Sequence, residues 1–206
     1  MRGIHRPGER DENVGKAEER AQLHKAIWKI ANDLRGSVDG WDFKAYVLGF
    51  LFYRFISENL TDYLNAEERA AADGDPDFDY ARLDDADAEF AREEIVRTKG
   101  FFIRPSELFC NVRAVARSDE NLNERLSRVF RYIEGSAQGT GSESDLRGLF
   151  DDIDVNSAKL GNTVAERNAK LVKIMDAIGD LDLSYGRSSI DAFGDAYEYL
   201  MTMYAS

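Results

Sequence analysis

GSVDGWDFKAYVLGFLFYRFISENLTDY, residues 36–63, is the stretch that decides the fold of this chain. From Phe43 to Ile56 nearly every residue is apolar, and Lys44 and Arg54 are the exceptions. Because a helix through this run is apolar on nearly every face, the pattern predicts a helix buried on most of its surface. The uninterrupted apolar run Ala45–Tyr53 is far shorter than the ~20 residues that span a bilayer. The stretch is therefore predicted to lie at the centre of a core and not in a membrane.

Helical periodicity continues on both sides of this stretch, and strand signals are almost absent. Apolar stripes and end signals predict further helices, with Thr163 and Glu166 forming a capping box before one of them. The predicted helices cover Ala17–Arg35, Trp41–Leu64, a segment from Asp84 or Asp85 to Gly100, Glu107–Arg117, a segment from near Asp119 through Ile133, Val164–Ile178 and Asp191–Tyr204. We therefore expect an all-α, compact multi-helix domain with no substantial sheet.

Three segments lack this periodicity. Residues 1–16 are charged and interrupted by Gly and Pro, and they are predicted to be a disordered tail. Residues 66–80 are predicted to be an acidic linker, and residues 135–144, GSAQGTGSES, a flexible loop. Residues 101–104 are predicted to be a short extended piece before Pro105, which is suited to open a helix. The helical domain is thus expected to occupy residues 17–206.

Charge is distributed unevenly along the chain, whose net charge is −12. Residues 66–94 hold twelve acids and three arginines, a net charge of −9, whereas residues 97–131 hold eight cations and four acids. The net charge of the whole chain disfavours binding to nucleic acid, but the basic segment 97–131 could still form a basic surface. Cys110 is the single cysteine, so no internal disulfide can form, and no secretory segment follows Met1. Both observations favour a cytoplasmic location.

Two predicted helices each carry three cations at positions i, i+3 and i+6. With Val164 as the angular reference, Leu171, Met175 and Ile178 lie within about 40° of it, and the second cation row falls at about 180–300°, at 100° per residue. Solvated faces paired with nearby Glu residues explain either row, and contact with DNA phosphates is the alternative. The candidate phosphate contacts are Arg125, Arg128, Arg131, Lys159, Arg167, Lys170 and Lys173.

Other polar features favour structural roles. Asp73–Asp79 imitates the opening of a calcium loop, but Phe78 and Asp84 occupy the positions that need Gly and Glu, so a solvated linker is favoured. No strand precedes the 135–144 loop and no Lys-Ser/Thr pair follows its last glycine, so a connector is favoured over a phosphate cradle. His24 is predicted to pack at the edge of the core, and Arg54 to pair with Glu58.

No metal-ligating set or nucleophile–base pair is visible in the sequence. Two distant histidines and one cysteine do not make a zinc site. We therefore predict no catalytic, cofactor-binding or metal-binding residues, and a complete small enzyme is strongly disfavoured.

Three stretches carry a family resemblance: Leu23–Leu60, Thr98–Val112, and Leu149–Ile178 followed by Asp191–Met201. In order and spacing they resemble the N-terminal helical domain of the methyltransferase (modification) subunit of bacterial type I restriction–modification systems. The resemblance extends from about residue 20 to the C-terminus. It implies that the whole subunit transfers a methyl group from S-adenosylmethionine to the N6 of adenine. The implied partners are DNA, a specificity subunit, a second methyltransferase subunit and a restriction subunit, with no membrane.

The chain departs from the pattern of the whole subunit. Such enzymes hold the flipped adenine with an Asn-Pro-Pro-aromatic motif, yet Pro7, Pro76 and Pro105 are never adjacent, and no Gly-rich cofactor turn is present. We therefore expect that the catalytic domain is absent, that this chain alone is no enzyme and binds no cofactor, and that it helps to clamp DNA and assemble the subunits. The alternative is a stand-alone helical protein–protein interaction module with no DNA role.

Overall fold

The computed structural model describes residues 8–34, 40–147, 150–151, 153–183, 198–199 and 202. Short 3-10 turns cover Tyr80–Arg82 and Pro105–Glu107. The α-helices are α1 (Gly8–Leu34), α2 (Gly40–Ala70), α3 (Asp85–Phe90), α4 (Arg92–Lys99), α5 (Phe109–Ala116), α6 (Leu122–Ser136), α7 (Glu143–Leu146) and α8 (Val164–Gly179). These residues contain no strand, so the predicted all-α fold is confirmed.

Helix α2 is the centre of the core, as its sequence predicts. Phe50, Leu51, Tyr53 and Leu60 are fully buried along it. It packs against α8 and α5, and α8 packs in turn against α5 and α6. Because burial of a large apolar side chain contributes about 1.5–3 kcal/mol, these contacts dominate the stability of the domain. None of the helices in the described ranges combines the length and hydropathy that a membrane span requires.

Arg54 ties α2 to the end of α8. Its Nε donates to Glu58 at 2.6 Å, which confirms the predicted pair. Its Nη1 also donates to the carbonyl oxygens of Ile178 and Leu181, each at 2.7 Å. Carbonyl groups at a helix C-terminus lack partners within the helix. Ile178 O also accepts from Leu181 N at 3.3 Å, so the guanidinium adds a charged donor there and supplies a donor to the Leu181 carbonyl group.

A mostly buried segment, residues 101–109, joins α4 to α5, and residues 101–104 within it are not helical, as predicted. Its backbone polar groups are satisfied by hydroxyl groups of distant residues, as burial requires. Burial raises the pKa of the Tyr53 and Tyr80 phenols, so both remain protonated donors. Tyr80 Oη donates to Ile103 O at 2.8 Å, Phe102 N to Ser136 Oγ at 2.8 Å, Phe109 N to Ser57 Oγ at 3.1 Å, and Tyr53 Oη to Glu107 O.

Two predicted boundaries near α1 and α2 are wrong. Helix α1 begins at Gly8, so the predicted disordered tail does not extend to residue 16. Helix α2 continues to Ala70, so the acidic linker does not begin at residue 66. Residues 66–70 consist of Ala, Glu and Arg, which form helix well without an apolar stripe, and residues 8–16 include Glu, Arg and Lys among less favourable residues. Asp39, whose side chain is suited to cap the predicted helix Trp41–Leu64, lies outside the described residues.

Three further segments differ in detail from their predictions. The helix expected over residues 85–100 divides at Ala91, whose conformation interrupts the regular ladder, and it ends as predicted at Gly100 with φ of 82°. The helix expected from residue 107 begins at Phe109, because Leu108 is extended after the 3-10 turn. The loop expected over residues 135–144 includes the end of α6 and the start of α7. The helix expected over Asp191–Tyr204 falls outside the described residues except at positions 198, 199 and 202.

Candidate nucleic-acid interface

The cation row of α6 projects away from the core, as predicted. Leu122, Leu126, Val129 and Ile133 are fully buried on the opposite face. This geometry follows from an apolar stripe at helical spacing, which leaves positions about 100–200° away for polar side chains. The row is therefore placed by the packing of α6 and not by the cations themselves.

Arg125 is already neutralised by a neighbouring carboxylate. Its Nε donates to Asp119 Oδ2, and only 11% of the Asp119 side chain is exposed. Burial acts to raise the pKa of Asp119, but the Arg125 hydrogen bond and charge outweigh it and hold this pKa below its usual value. Arg125 therefore has a structural partner, and a phosphate would have to compete with that carboxylate.

Arg128 and Arg131 are the cations of this row that remain exposed. Arg131 Nε reaches the Ser127 carbonyl oxygen within its own helix at 3.3 Å. Among the described residues, neither arginine forms an ion pair. These two guanidinium groups are thus the members of the α6 row best suited to meet an external anion.

The basic excess of residues 97–131 is largely cancelled within the protein. Arg113 and Arg117 on α5 pair with Asp176 on α8, and Arg113 also reaches Asp180 at 2.6 Å. Arg97 pairs with Glu94, and Arg104 with Glu89. The counting of charges by segment missed this network. A signal was present, because both pairs, 113/117 and 176/180, have the i, i+4 spacing of one helix face.

The α8 row is placed differently from its prediction. Leu171, Met175 and Ile178 are fully buried, which confirms the predicted stripe, although Val164 itself, the first residue of α8, is 42% exposed. Measured from Leu171, Arg167 lies at the edge of the buried face. Its side chain is half-buried, and Nη1 donates to the Gly161 carbonyl oxygen at 3.1 Å. Arg167 is therefore engaged in holding the loop before α8.

The three lysines of the candidate set lie nearer to the solvent. Lys159 and Lys173 are exposed and Lys170 is half-buried. Each of them already interacts with another group of the protein. A phosphate contact at any of the three would therefore replace or share an existing interaction.

The two rows are separate features of the surface. Helices α6 and α8 meet through Asn123 and Asn168, where Asn123 N donates to Asn168 Oδ1 at 3.0 Å. Asn168 Nδ2 donates to the Glu120 carbonyl oxygen at 2.8 Å. Both asparagines are buried, and at 100° per residue the cation rows lie on other faces of their helices. The fold thus does not gather the seven predicted cations around this contact.

Tyr132 adds an aromatic ring beside the exposed arginines, and sequence analysis missed it. It follows Arg128 by one helical turn, and it is about half exposed. The Arg104 guanidinium lies over its ring, 5.1 Å from the centroid. The neighbouring Glu107 is buried, and burial raises its pKa although Arg104 and Arg128 oppose the shift. The sequence did contain a signal for this surface, because Tyr132 follows Arg128 by one helical turn and an aromatic ring beside a cation is typical of a binding surface.

The remaining polar features have structural roles. His24 packs at the edge of the core as predicted, with its ring stacked on Tyr199 at 4.3 Å. Burial raises the pKa of the Cys110 thiol, which therefore lacks the lowered pKa of a reactive cysteine. The described residues contain no cluster of His, Cys, Asp and Glu arranged to hold a metal ion.

Comparison with known families identifies the fold and its order of elements. The model of the HsdM N-terminal domain family matches residues 23–178, from the buried face of α1 to the end of α8. The chain belongs to this family. The resemblance read from the three sequence stretches is therefore confirmed.

Two relatives of this HsdM N-terminal domain are methyltransferase subunits. The type I restriction enzyme MpnII methylase subunit of Mycoplasma pneumoniae is 46% identical over 198 residues, which cover 92% of this chain and 36% of the relative. A crystal structure of the type I restriction-modification system methyltransferase subunit from Streptococcus thermophilus matches with a TM-score of 0.68 and 27% identity. That match covers 90% of this chain and 39% of the solved chain. The chain thus spans little more than a third of the length of either relative.

Proposed function

We propose that this domain is the helical N-terminal part of an adenine-specific DNA methyltransferase subunit that depends on S-adenosylmethionine. The observation that carries this proposal is the family match over residues 23–178, together with relatives that are type I methyltransferase subunits. Because the match covers little more than a third of each relative, we assign cofactor binding and methyl transfer to the part of the subunit outside this domain.

In this proposal the domain grips the DNA backbone and helps to assemble the enzyme in the cytoplasm. Extruding an adenine from a duplex costs a few kcal/mol in lost stacking and pairing, so a lobe that holds the phosphates favours the reaction. Cations that contact phosphates supply affinity without reading sequence. The other members of the assembly are a specificity subunit that reads the sequence, a second methyltransferase subunit and a restriction subunit.

Arg128 and Arg131 are the first candidates for phosphate contact, because they are exposed and unpaired among the described residues. Lys159, Lys170 and Lys173 come next, since each already has an interaction within the protein. Arg125 and Arg167 are engaged with Asp119 and Gly161 and are the weakest candidates.

The test uses the assembled enzyme carrying Arg128→Gln and Arg131→Gln together. We expect weaker binding to cognate and non-cognate duplex by about the same factor. The slope of log affinity against log salt should flatten by about 0.9 for each lost phosphate contact. The matched control is Arg82→Gln with Arg97→Gln, which removes the same charge from two exposed arginines paired with Asp79 and Glu94.

The outcomes separate three functions. An unchanged salt slope with intact assembly would show that the α6 row is a solvated face. Loss of assembly without a change in DNA contacts would support the alternative, a protein–protein interaction module. Calorimetry completes the test, because we expect S-adenosylmethionine to bind the full-length subunit and not residues 1–206.

A further inference from the structure

Tyr132 is a half-exposed side chain of α6 that the proposed function does not use. It is 47% exposed, and no described residue bonds to its hydroxyl group. At 100° per residue, Arg128 and Arg131 lie about 40° and 100° from Tyr132 round the helix, so the three side chains share one face. We name this set, Arg128, Arg131 and Tyr132, the ring patch.

The ring of Tyr132 is held in place before any ligand arrives. The Arg104 guanidinium lies over it, 5.1 Å from the centroid. Arg104 is itself fixed by Glu89, which accepts from its Nε at 2.7 Å, and by Glu107, whose Oε1 lies 3.7 Å from its Nη1. On the helix, the adjacent Ile133 is fully buried. Because nearly half of Tyr132 stays exposed despite these contacts, ring surface remains on which a second planar group can stack at little cost in conformational entropy.

The charges of the ring patch identify an anionic partner. Neither Arg128 nor Arg131 forms an ion pair with a described residue, so both guanidinium groups can meet an external anion. Arg131 also lines a cleft whose acids include Glu134. Glu134 lies about 160° from Tyr132 round the helix, beyond Arg131. The side of the patch that carries Arg128 and Tyr132 is therefore the side open to an anion.

The combination of a ring with unpaired cations identifies the kind of anion. Phosphates of any nucleic acid attract guanidinium groups. A duplex, however, buries the faces of its bases in the stack and offers a protein only phosphates, sugars and base edges. A single strand exposes those faces, and proteins that bind single strands combine a basic surface with aromatic side chains on which bases stack. Tyr132 therefore suits an unpaired base and adds nothing to a grip on duplex phosphates.

We propose that the ring patch is a binding site for single-stranded nucleic acid, with a base stacked on Tyr132 and the flanking phosphates on Arg128 and Arg131. The site reads no sequence, because every base has a face that can stack. This inference goes beyond the proposed function, which needs only the two arginines on a duplex. The two functions share the cations and differ in the ring, so a change of Tyr132 tests the inference alone.

The experiment measures the affinity of the full-length methyltransferase subunit for a labelled oligothymidylate and for a hairpin duplex, by fluorescence anisotropy. We expect Tyr132→Ala to weaken binding to the single strand about 5- to 100-fold and to leave binding to the duplex unchanged. Tyr132→Phe should retain the affinity, because the ring is preserved. Trp28→Ala is the matched control, since it removes a ring of 49% exposure from a different helix and should have no effect.

A strand without bases separates stacking from charge. An abasic phosphodiester strand of the same length should bind the wild-type protein about as weakly as the oligothymidylate binds Tyr132→Ala, and Tyr132→Ala should not weaken it further. Because Tyr132→Ala also removes the ring beneath Arg104, Tyr132→Leu is measured beside it. Leucine keeps apolar bulk at this position but offers no ring to a base, so the loss should be the same. Thermal unfolding compares both variants with wild type.

Each contrary result overturns the inference in a distinct way. Unchanged binding of Tyr132→Ala and Tyr132→Leu to the single strand would show that no base stacks on the ring, and it would leave the proposed function intact. Equal losses on the oligothymidylate, the duplex and the abasic strand would show that Tyr132 only positions the cations. Absence of wild-type binding to the single strand, or a contact of Tyr132 with another protein instead, would also refute the site. The proposed function fails on a different result, an unchanged salt slope of duplex binding when Arg128 and Arg131 are replaced.

Discussion

Helices α6 and α8 both carry three cations at i, i+3 and i+6, and both bury one face in the same core. They differ in where the row lies relative to that face. On α6 two arginines remain exposed, whereas on α8 the first cation, Arg167, is half-buried and holds the Gly161 carbonyl group. The first cation of each row is engaged, Arg125 with Asp119 and Arg167 with Gly161, but α6 keeps two exposed arginines without an ion pair among the described residues, whereas both lysines of α8 already interact. The position of the buried stripe, and not the spacing of the charges, decides which cations of a row are exposed and which are engaged within the protein.

The largest expected effect tests where the stripe of α8 is centred. Leu171→Ala removes a fully buried side chain and should destabilise the domain by about 2–5 kcal/mol. Val164→Ala truncates an exposed side chain and should change stability by about 0.5 kcal/mol or less. Urea unfolding followed by circular dichroism measures both. Equal costs would contradict the burial of Leu171 and the exposure of Val164.

The second prediction concerns the support of α8 by another helix. Arg54→Met removes the charged donor shared by the carbonyl groups of Ile178 and Leu181, and Ile178 O keeps only backbone donors, so we expect a loss of about 1.5–3 kcal/mol. Arg131→Met on α6 is the control, because its guanidinium bonds only within its own helix. The same unfolding measurement applies. A small effect of Arg54→Met would mean that solvent reaches the end of α8.

The N-termini of the two helices provide a third comparison. Thr163 Oγ1 accepts a hydrogen bond from Glu166 N in a complete capping box, whereas Asn121 before α6 makes no such side-chain bond. Thr163→Ala should therefore cost about 0.5–2 kcal/mol. Asn121→Ala should cost less, and thermal melts of the two variants give the difference directly. Equal costs would show that the box adds nothing beyond packing.

The smallest expected effect is a shift in acid sensitivity. The folded-state pKa of Asp119 is lowered by Arg125, so this pair stabilises the fold above the unfolded pKa of the carboxyl group. That contribution is lost as the pH falls through the folded pKa. In Arg125→Gln the lowering effect of the Arg125 hydrogen bond and charge is lost, so the folded-state pKa of Asp119 should rise and acid unfolding should begin at a higher pH. Arg131→Gln should leave the acid midpoint unchanged, and a common shift in both variants would point to net charge instead.

Much of the fold was predictable because it depends on local signals. Three features were predicted correctly because each depends on residues that are close in sequence. They are the apolar run in α2, the capping box of α8 and the glycine that ends α4. The ion pairs of Arg113 and Arg117 with Asp176 were not predicted, because they depend on which helices become neighbours in the fold. Likewise, exposure of Arg128 and engagement of Arg167 follow from tertiary packing that spacing along one helix does not contain.

The buried segment 101–109 has a consequence for how the domain folds. Its hydrogen bonds to the hydroxyl groups of Tyr80, Ser136, Ser57 and Tyr53 join residues separated by 23, 34, 52 and 54 positions along the chain. Closing such loops costs entropy before the bonds compensate for it, whereas helices form from neighbouring residues. We therefore expect this segment to order only after α2 and α6 have come together. The folding rate of the domain would then be limited by the formation of these four hydroxyl groups' hydrogen bonds, and not by the formation of the long helices that make up most of the chain.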